Sequence, residues 1–107
     1  MEIKPYDGFT LSANQLKVLR FLQSNYDSWG EGPIYRMKYM ADELRIEERL
    51  VRLACRALKR KGLADLEQLY SEDKGFCGSG YMCSKLGNEV IERMEEYSRV
   101  LEEAKTL

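Results

Sequence analysis

A mostly helical α+β domain is predicted by three features of this sequence. Four segments repeat their apolar residues at helical spacing, and two short apolar runs flank a Gly-rich stretch in the manner of one hairpin. At 107 residues the chain is the size of a single core, and residues 1–107 read as one domain. A hydrophobic fraction of 44% beside a charged fraction of 33% suits a soluble folded protein, not a disordered or membrane one.

The elements follow in order. Leu11-Ser12-Ala13-Asn14-Gln15-Leu16 opens the first helix: Ser12 and Gln15 have capping-box spacing, and Leu11 and Leu16 are placed as a hydrophobic staple. The stripe Leu16, Val18, Leu19, Phe21 and Leu22 carries this helix to about Asn25. Ser24 to Pro33, with Asp27, Gly30 and Gly32, then reads as loop. Met37, Met40, Ala41 and Leu44 recur at i, i+3, i+4 and i+7, giving a short second helix that ends near Arg45. Glu47 to Lys61 repeats the pattern with Val51, Ala54, Cys55 and Leu58, and Gly62 stands in the stop position. Leu63 to Tyr70 changes toward a period of two, Tyr81-Met82-Cys83 is its partner strand, and Lys74 to Gly80 is the hairpin tip. The last helix, Asn88 to about Lys105, spaces Val90, Met94, Tyr97, Leu101 and Ala104 by fours and threes, a coiled-coil-like seam.

Composition removes several function classes. The sequence has no His, which leaves out Ser-His-Asp and Cys-His catalysis and the commonest metal ligand. Cys55, Cys77 and Cys83 are odd in number and contain no C-x-x-C pair, so reduced thiols are expected rather than a zinc site or disulfide framework. No catalytic constellation remains, and neither enzyme activity, metal nor cofactor is expected. The start Met1-Glu2-Ile3-Lys4-Pro5 lacks the basic and apolar runs of a secretory signal, and the longest uncharged stretch, Gly75 to Ser84, is too short and too Gly-rich to span a membrane. A cytoplasmic location follows as the expectation.

The net charge of −1 hides an asymmetry. Residues 36–62 carry nine basic against four acidic side chains, whereas the remaining segments are all net acidic. A basic segment in an acidic chain suggests one surface built for a polyanion.

Helix, short helix, tight turn, helix, hairpin, helix is the order of a winged helix-turn-helix with a two-stranded wing and a C-terminal helix. The residues sharpen this. Ala41, Leu44 and Ile46, then Val51, Leu58 and Gly62-Leu63, resemble the spaced motif of MarR-type regulators, and Tyr81-Met82-Cys83-Ser84-Lys85-Leu86-Gly87 is similar to that family's Y-x-L-T-x-x-G at the end of the wing. Cys83 stands for Leu and Ser84 for Thr, a residue that still serves as an N-cap; Arg45 stands where the family commonly has the turn Gly. The resemblance covers Leu11 to about Met94. A second resemblance, of Leu11 to Pro33 to the DNA-binding segment of LexA-type repressors, implies the same winged fold.

Both resemblances imply double-stranded DNA as partner and the third helix as the reader. Placed at about 100° per residue from Arg49, Arg52 falls near 300°, Leu53 near 40°, Arg56 near 340° and Arg60 near 20°. The core positions of the same helix fall between about 140° and 240°, so four arginines oppose the core. Arginine's planar fork pairs bidentately with guanine O6 and N7 or with phosphates, which makes Arg49, Arg52, Arg56 and Arg60 the candidate DNA contacts. Lys59 and Lys61 flank them as secondary candidates; lysines there also suit the helix dipole.

The reading is thus a small transcription regulator, with residues 87–107 as the dimerisation element of a homodimer. The alternatives are that the seam packs onto the first helix of its own chain, and that the domain is a protein-interaction module, an adaptor or antirepressor. The wing tip Ser71-Glu72-Asp73-Lys74-Gly75, with two acids and one Lys, reads as a solvated turn. A Cys77–Cys83 redox switch and an aromatic pocket from Tyr26, Trp29, Tyr35 and Tyr39 are the weaker functional readings, and core filling is preferred for the aromatics.

Overall fold

The computed structural model describes residues 2–3, 11–24, 26 and 34–105. Trp29 and most of the loop expected around it lie outside the described residues. In chain order the elements are β1 (Glu2–Ile3), β2 (Leu11–Ser12), α1 (Ala13–Gln23), α2 (Met37–Leu44), α3 (Glu48–Arg60), β3 (Ala64–Ser71), β4 (Gly75–Cys83) and α4 (Lys85–Lys105). This is the mostly helical α+β winged helix-turn-helix that the patterning predicts.

Each helix begins and ends for a local reason. Ser12 Oγ accepts from Gln15 N at 3.2 Å and Gln15 Oε1 accepts from Ser12 N at 3.2 Å, so the capping box of α1 is complete. α2 stops at Arg45, which adopts φ 55°, ψ 45°, and Ile46 N donates back to Ala41 O at 3.1 Å. That left-handed residue turns the chain sharply enough for α3 to start at Glu48. α3 ends in a Schellman arrangement: Gly62, at φ +77°, donates to Lys59 O at 3.0 Å, and Leu63 donates to Leu58 O at 2.9 Å. A side chain at Gly62 would strain that backbone.

The apolar stripes meet in one core. Val18, Leu19 and Leu22 of α1, Met40 and Ala41 of α2, Val51, Ala54, Cys55 and Leu58 of α3, and Val90, Ile91 and Met94 of α4 are all buried. Truncating Leu58 there would remove about 2–5 kcal/mol, the usual cost of a large-to-small core change.

The hairpin, the start of α4 and an added strand pair differ from the sequence expectation. β4 starts at Gly75, well before Tyr81, and the hairpin tip shrinks to residues 72–74. Gly80 is there for closeness. Tyr35 pairs with Tyr81 through two backbone hydrogen bonds of 2.8 Å, and a Cβ on Gly80 would sit 2.7 Å from Tyr35 O and 2.8 Å from Ile34 Cγ2. A bulge between Leu69 and Tyr70 absorbs one residue of β4. α4 starts at Lys85, one turn before Asn88, because Ser84 Oγ accepts from Gly87 N at 2.9 Å as an N-cap. Finally, β1 pairs antiparallel with β2, Glu2 opposite Ser12 and Ile3 opposite Leu11, a pairing too short to leave a periodic signal.

The expected seam on α4 divides in two. Val90 and Met94 are 2% and 7% exposed within the single chain, in the core that α1 shares, so the alternative of packing onto the chain's own first helix holds for this half. Gln23 Nε2 donates to Asn88 Oδ1 at 2.9 Å and fixes the two helices together. Tyr97 and Leu101 belong to the distal half of the helix, and their side chains lie outside what is described. No helix among the described residues is long and apolar enough to cross a membrane.

Candidate nucleic-acid interface

α3 is strongly two-faced. Val51, Ala54, Cys55, Ala57 and Leu58 are buried, and the exposed residues are Glu48, Arg49, Arg52, Leu53, Arg56, Lys59 and Arg60. The helix-turn-helix sets this orientation: α2 and α1 both pack on the apolar side of α3, so the opposite side has solvent before it.

Two of the arginines are held near the start of the helix. Arg49 Nη2 lies 3.7 Å from Glu47 Oε2, and Arg52 Nη2 lies 3.7 Å from Glu48 Oε1 in an i, i+4 pair. With side chains 75% and 72% exposed in the first pair, water screens it, and neither is worth more than a few tenths of a kcal/mol. Such pairs orient the guanidinium groups and yield them readily to a stronger anion. Arg56, Lys59 and Arg60 make no ion pair among the described residues.

Lys61 is placed differently from the other candidates. Its Nζ donates to Gln15 Oε1 at 3.0 Å, so it also ties the end of α3 to the capping box of α1.

Beneath α3 the groups are neutral. Burial pushes the Cys55 thiol up to about 12. Burial and then the Cys55 thiol raise the Tyr81 hydroxyl, while Arg56 and Arg52 pull it back. Cys83 is likewise pushed up to about 12, by burial first and by Asp65 second. The three cysteines are free. Cys83 faces Ala64 across the ladder and Cys77 lies on the same strand β4, so the hairpin does not bring the two thiols opposite each other.

The hairpin is acidic and apolar. Tyr70 and Phe76 are 66% and 59% exposed and pack edge-to-face with ring centroids 5.8 Å apart. Its nearest added cation comes from outside: Arg36, the cap residue of α2, donates from Nη2 to Cys77 O at 2.9 Å. Sequence reasoning missed Arg36, since a contact between residues 41 positions apart leaves no local pattern. Phe21 meets Tyr35 edge-on with ring centroids 4.8 Å apart, and both pack against the core; Tyr39 lies nearly parallel to Tyr35 at 5.8 Å and is half exposed.

The chain superposes on several solved structures. A mutant of MepR from S. aureus matches with TM-score 0.68 at 14% identity, over 90% of this chain and 64% of that one. The fold is a MarR-type winged helix. The S. aureus MepR–DNA complex matches with TM-score 0.67 at 14% identity, over 90% of this chain and 71% of that chain. A protein described as a MarR family transcription regulator matches with TM-score 0.63 at 13% identity, over 91% and 59% of the two chains. This chain therefore spans about two thirds or less of the first and third of these MarR-type proteins. No family model and no curated protein matches the sequence.

Proposed function

We propose that this chain is a sequence-specific, double-stranded DNA-binding transcription regulator that presents α3 to the major groove. The observation that carries the reading is the exposed row Arg49, Arg52, Arg56 and Arg60 on the helix opposite the core, in a fold that MepR also adopts in its DNA complex. In this reading Arg49 and Arg52, in the N-terminal half of α3, reach base edges, and Arg56 joins them. Arg60 grips a phosphate farther along, with Lys59 and Lys61 as secondary phosphate contacts. The protein acts without catalysis, in the cytoplasm, as a homodimer whose contact lies in the C-terminal helix, residues 87–107. A two-fold dimer would set two half-sites about 34 Å apart along the duplex.

Selection from a random duplex pool, followed by titration of the enriched duplex at several salt concentrations, tests the reading. A recurring motif and an affinity that falls steeply with salt are expected. Binding without sequence preference, or none, would overturn it.

One observation favours a second reading, a protein-interaction module. The Tyr70–Phe76 pair stands exposed on an acidic hairpin, and aromatic side chains of this kind anchor protein interfaces. Removing both rings separates the two surfaces: duplex binding that survives while binding of a protein partner disappears would assign them different roles.

A further inference from the structure

We propose that Leu53 reads the 5-methyl group of a thymine between the contacts made by Arg49 and Arg56. The inference rests on the DNA-binding reading above and deepens it from a charged face to a base preference.

Leu53 is 52% exposed, and every other exposed residue of α3 is charged. It lies in one stripe with three arginines, since positions 49, 53, 56 and 60 recur at i, i+4, i+7 and i+11 and share a face. Arg49 and Arg56 are separated along the helix axis by about 10.5 Å, roughly three base-pair steps. Leu53 stands about 6 Å from the first and about 4.5 Å from the second along that axis. A duplex that engages both arginines is therefore brought over Leu53, which becomes desolvated whatever base lies there.

The chemistry then selects the base. Leucine has no donor and no acceptor, so against guanine O6 or the cytosine amino group it would leave a polar base edge without water or partner. Against thymine it meets the one apolar group of the major groove. The alternative use of an exposed Leu, as part of a protein-binding patch, needs a contiguous apolar surface. Here the helical neighbours of Leu53 are the exposed Arg49 and Arg56 on one side and, toward the core, the half-buried Leu50 and the buried Ala57, so the exposed apolar surface is little more than one side chain. A single exposed apolar side chain in a row of arginines matches a groove floor with phosphate walls.

The test uses the duplex that the full chain selects from a random pool. Each thymine is replaced in turn by deoxyuridine, which removes the methyl group and keeps the pairing edge. One position per half-site should weaken the wild type about fourfold, the worth of one buried methyl. Leu53→Ala should weaken binding about as much on the thymine duplex and be indifferent to the uracil substitution, with an unchanged salt slope. Leu53→Gln, which keeps helix propensity and length, serves as the second variant, and circular dichroism checks folding of both. Equal uracil effects in wild type and variants would overturn the inference while leaving the DNA reading intact. A wild type that selects no duplex overturns both.

Discussion

The helix α3 and the hairpin β3–β4 leave the same core side by side and present opposite surfaces. α3 exposes four arginines and Lys59 against one acid, Glu48, around a single leucine, whereas the hairpin exposes Asp65, Glu72 and Asp73 against one Lys74 around Leu66, Tyr70 and Phe76. Both are solvent-facing, so burial does not separate them; charge does. Phosphates spaced along a duplex reward the first surface and repel the second, and within a Debye length of about 8 Å the acids of the tip would oppose the approach of DNA. Under the DNA-binding reading proposed above, the grip would fall to the helix. The hairpin's added cation is Arg36, lent by α2.

The largest effect should come from breaking the joint on which both surfaces hang. Ser84 N donates to Leu63 O at 3.1 Å and Ser84 Oγ donates to Gly62 O at 2.6 Å, which closes the base of the hairpin onto the end of α3. Gly87 lies against that joint, and a Cβ there would stand 2.1 Å from Leu63 O and 3.1 Å from Leu19 Cδ1. Gly87→Val is expected to cost about 3 kcal/mol or more, a large part of a small domain's stability. Denaturant unfolding measures it; a midpoint equal to wild type would mean that α4 shifts away without penalty and that the joint is loose.

Next comes the contrast between the two surfaces. Arg52→Ala together with Arg56→Ala should weaken the selected duplex by about 1–3 kcal/mol for each base-reading arginine removed and leave the fold intact. Tyr70→Ser together with Phe76→Ser should change the same affinity by less than about 0.5 kcal/mol, since neither ring offers charge to a phosphate. Fluorescence anisotropy on both double variants decides between them. The reverse ranking would move DNA contact to the hairpin.

These two regions also differ in how well the sequence announces them. α3 was readable because its signal is local and repeated: Val51, Ala54, Cys55 and Leu58 mark the core side, and the arginines fall opposite. The cap at Ser12, the stop at Gly62 and the Ser84 cap were readable for the same reason, each being a matter of neighbours in sequence. β4 was not. Its glycines look like a turn, and only the approach of Tyr35 from a distant part of the chain explains why glycine stands at position 80 within a strand. The half of the α4 seam at Val90 and Met94 failed similarly, because periodicity identifies an apolar stripe but not which surface covers it. The bond from Lys61 to Gln15, 46 positions away, leaves no local pattern either. Leu53 was on the right face of the helical wheel, yet a single leucine carries no motif.

Each region buries one thiol, Cys55 in α3 and Cys83 in β4, and both are pushed up to about 12 from an ordinary value near 9. Folded protein then holds protons that the unfolded chain has released, so stability present below about pH 9 falls as pH rises toward 12. Urea unfolding at pH 8 and pH 10.5 should show this decline, and Cys55→Ala should make it smaller than in wild type while lowering stability at pH 8. An unchanged pH dependence in that variant would assign the alkaline decline to other groups.

The smallest effect concerns the turn that aims α3 away from the hairpin. Arg45 holds φ 55°, ψ 45°, and it is the only residue other than glycine with positive φ among the described residues. For an L-residue that region costs about 1–2 kcal/mol. Glycine would remove the cost, but it also enlarges the freedom of the unfolded chain, which returns about 0.5–1 kcal/mol of the gain. Arg45→Gly should therefore stabilise the domain by no more than about 1 kcal/mol, and Arg45→Ala, which keeps the strain, should not stabilise it. Equal stabilities for the two variants would mean that the hydrogen bond from Ile46 N to Ala41 O fixes the turn at no cost to Arg45. The same pair of variants sharpens the contrast of charge. Both remove one exposed cation beside the start of α3, so a salt slope on the selected duplex reduced by about one in both variants would add Arg45 to the phosphate contacts, and an unchanged slope in both would confine the grip to α3 itself.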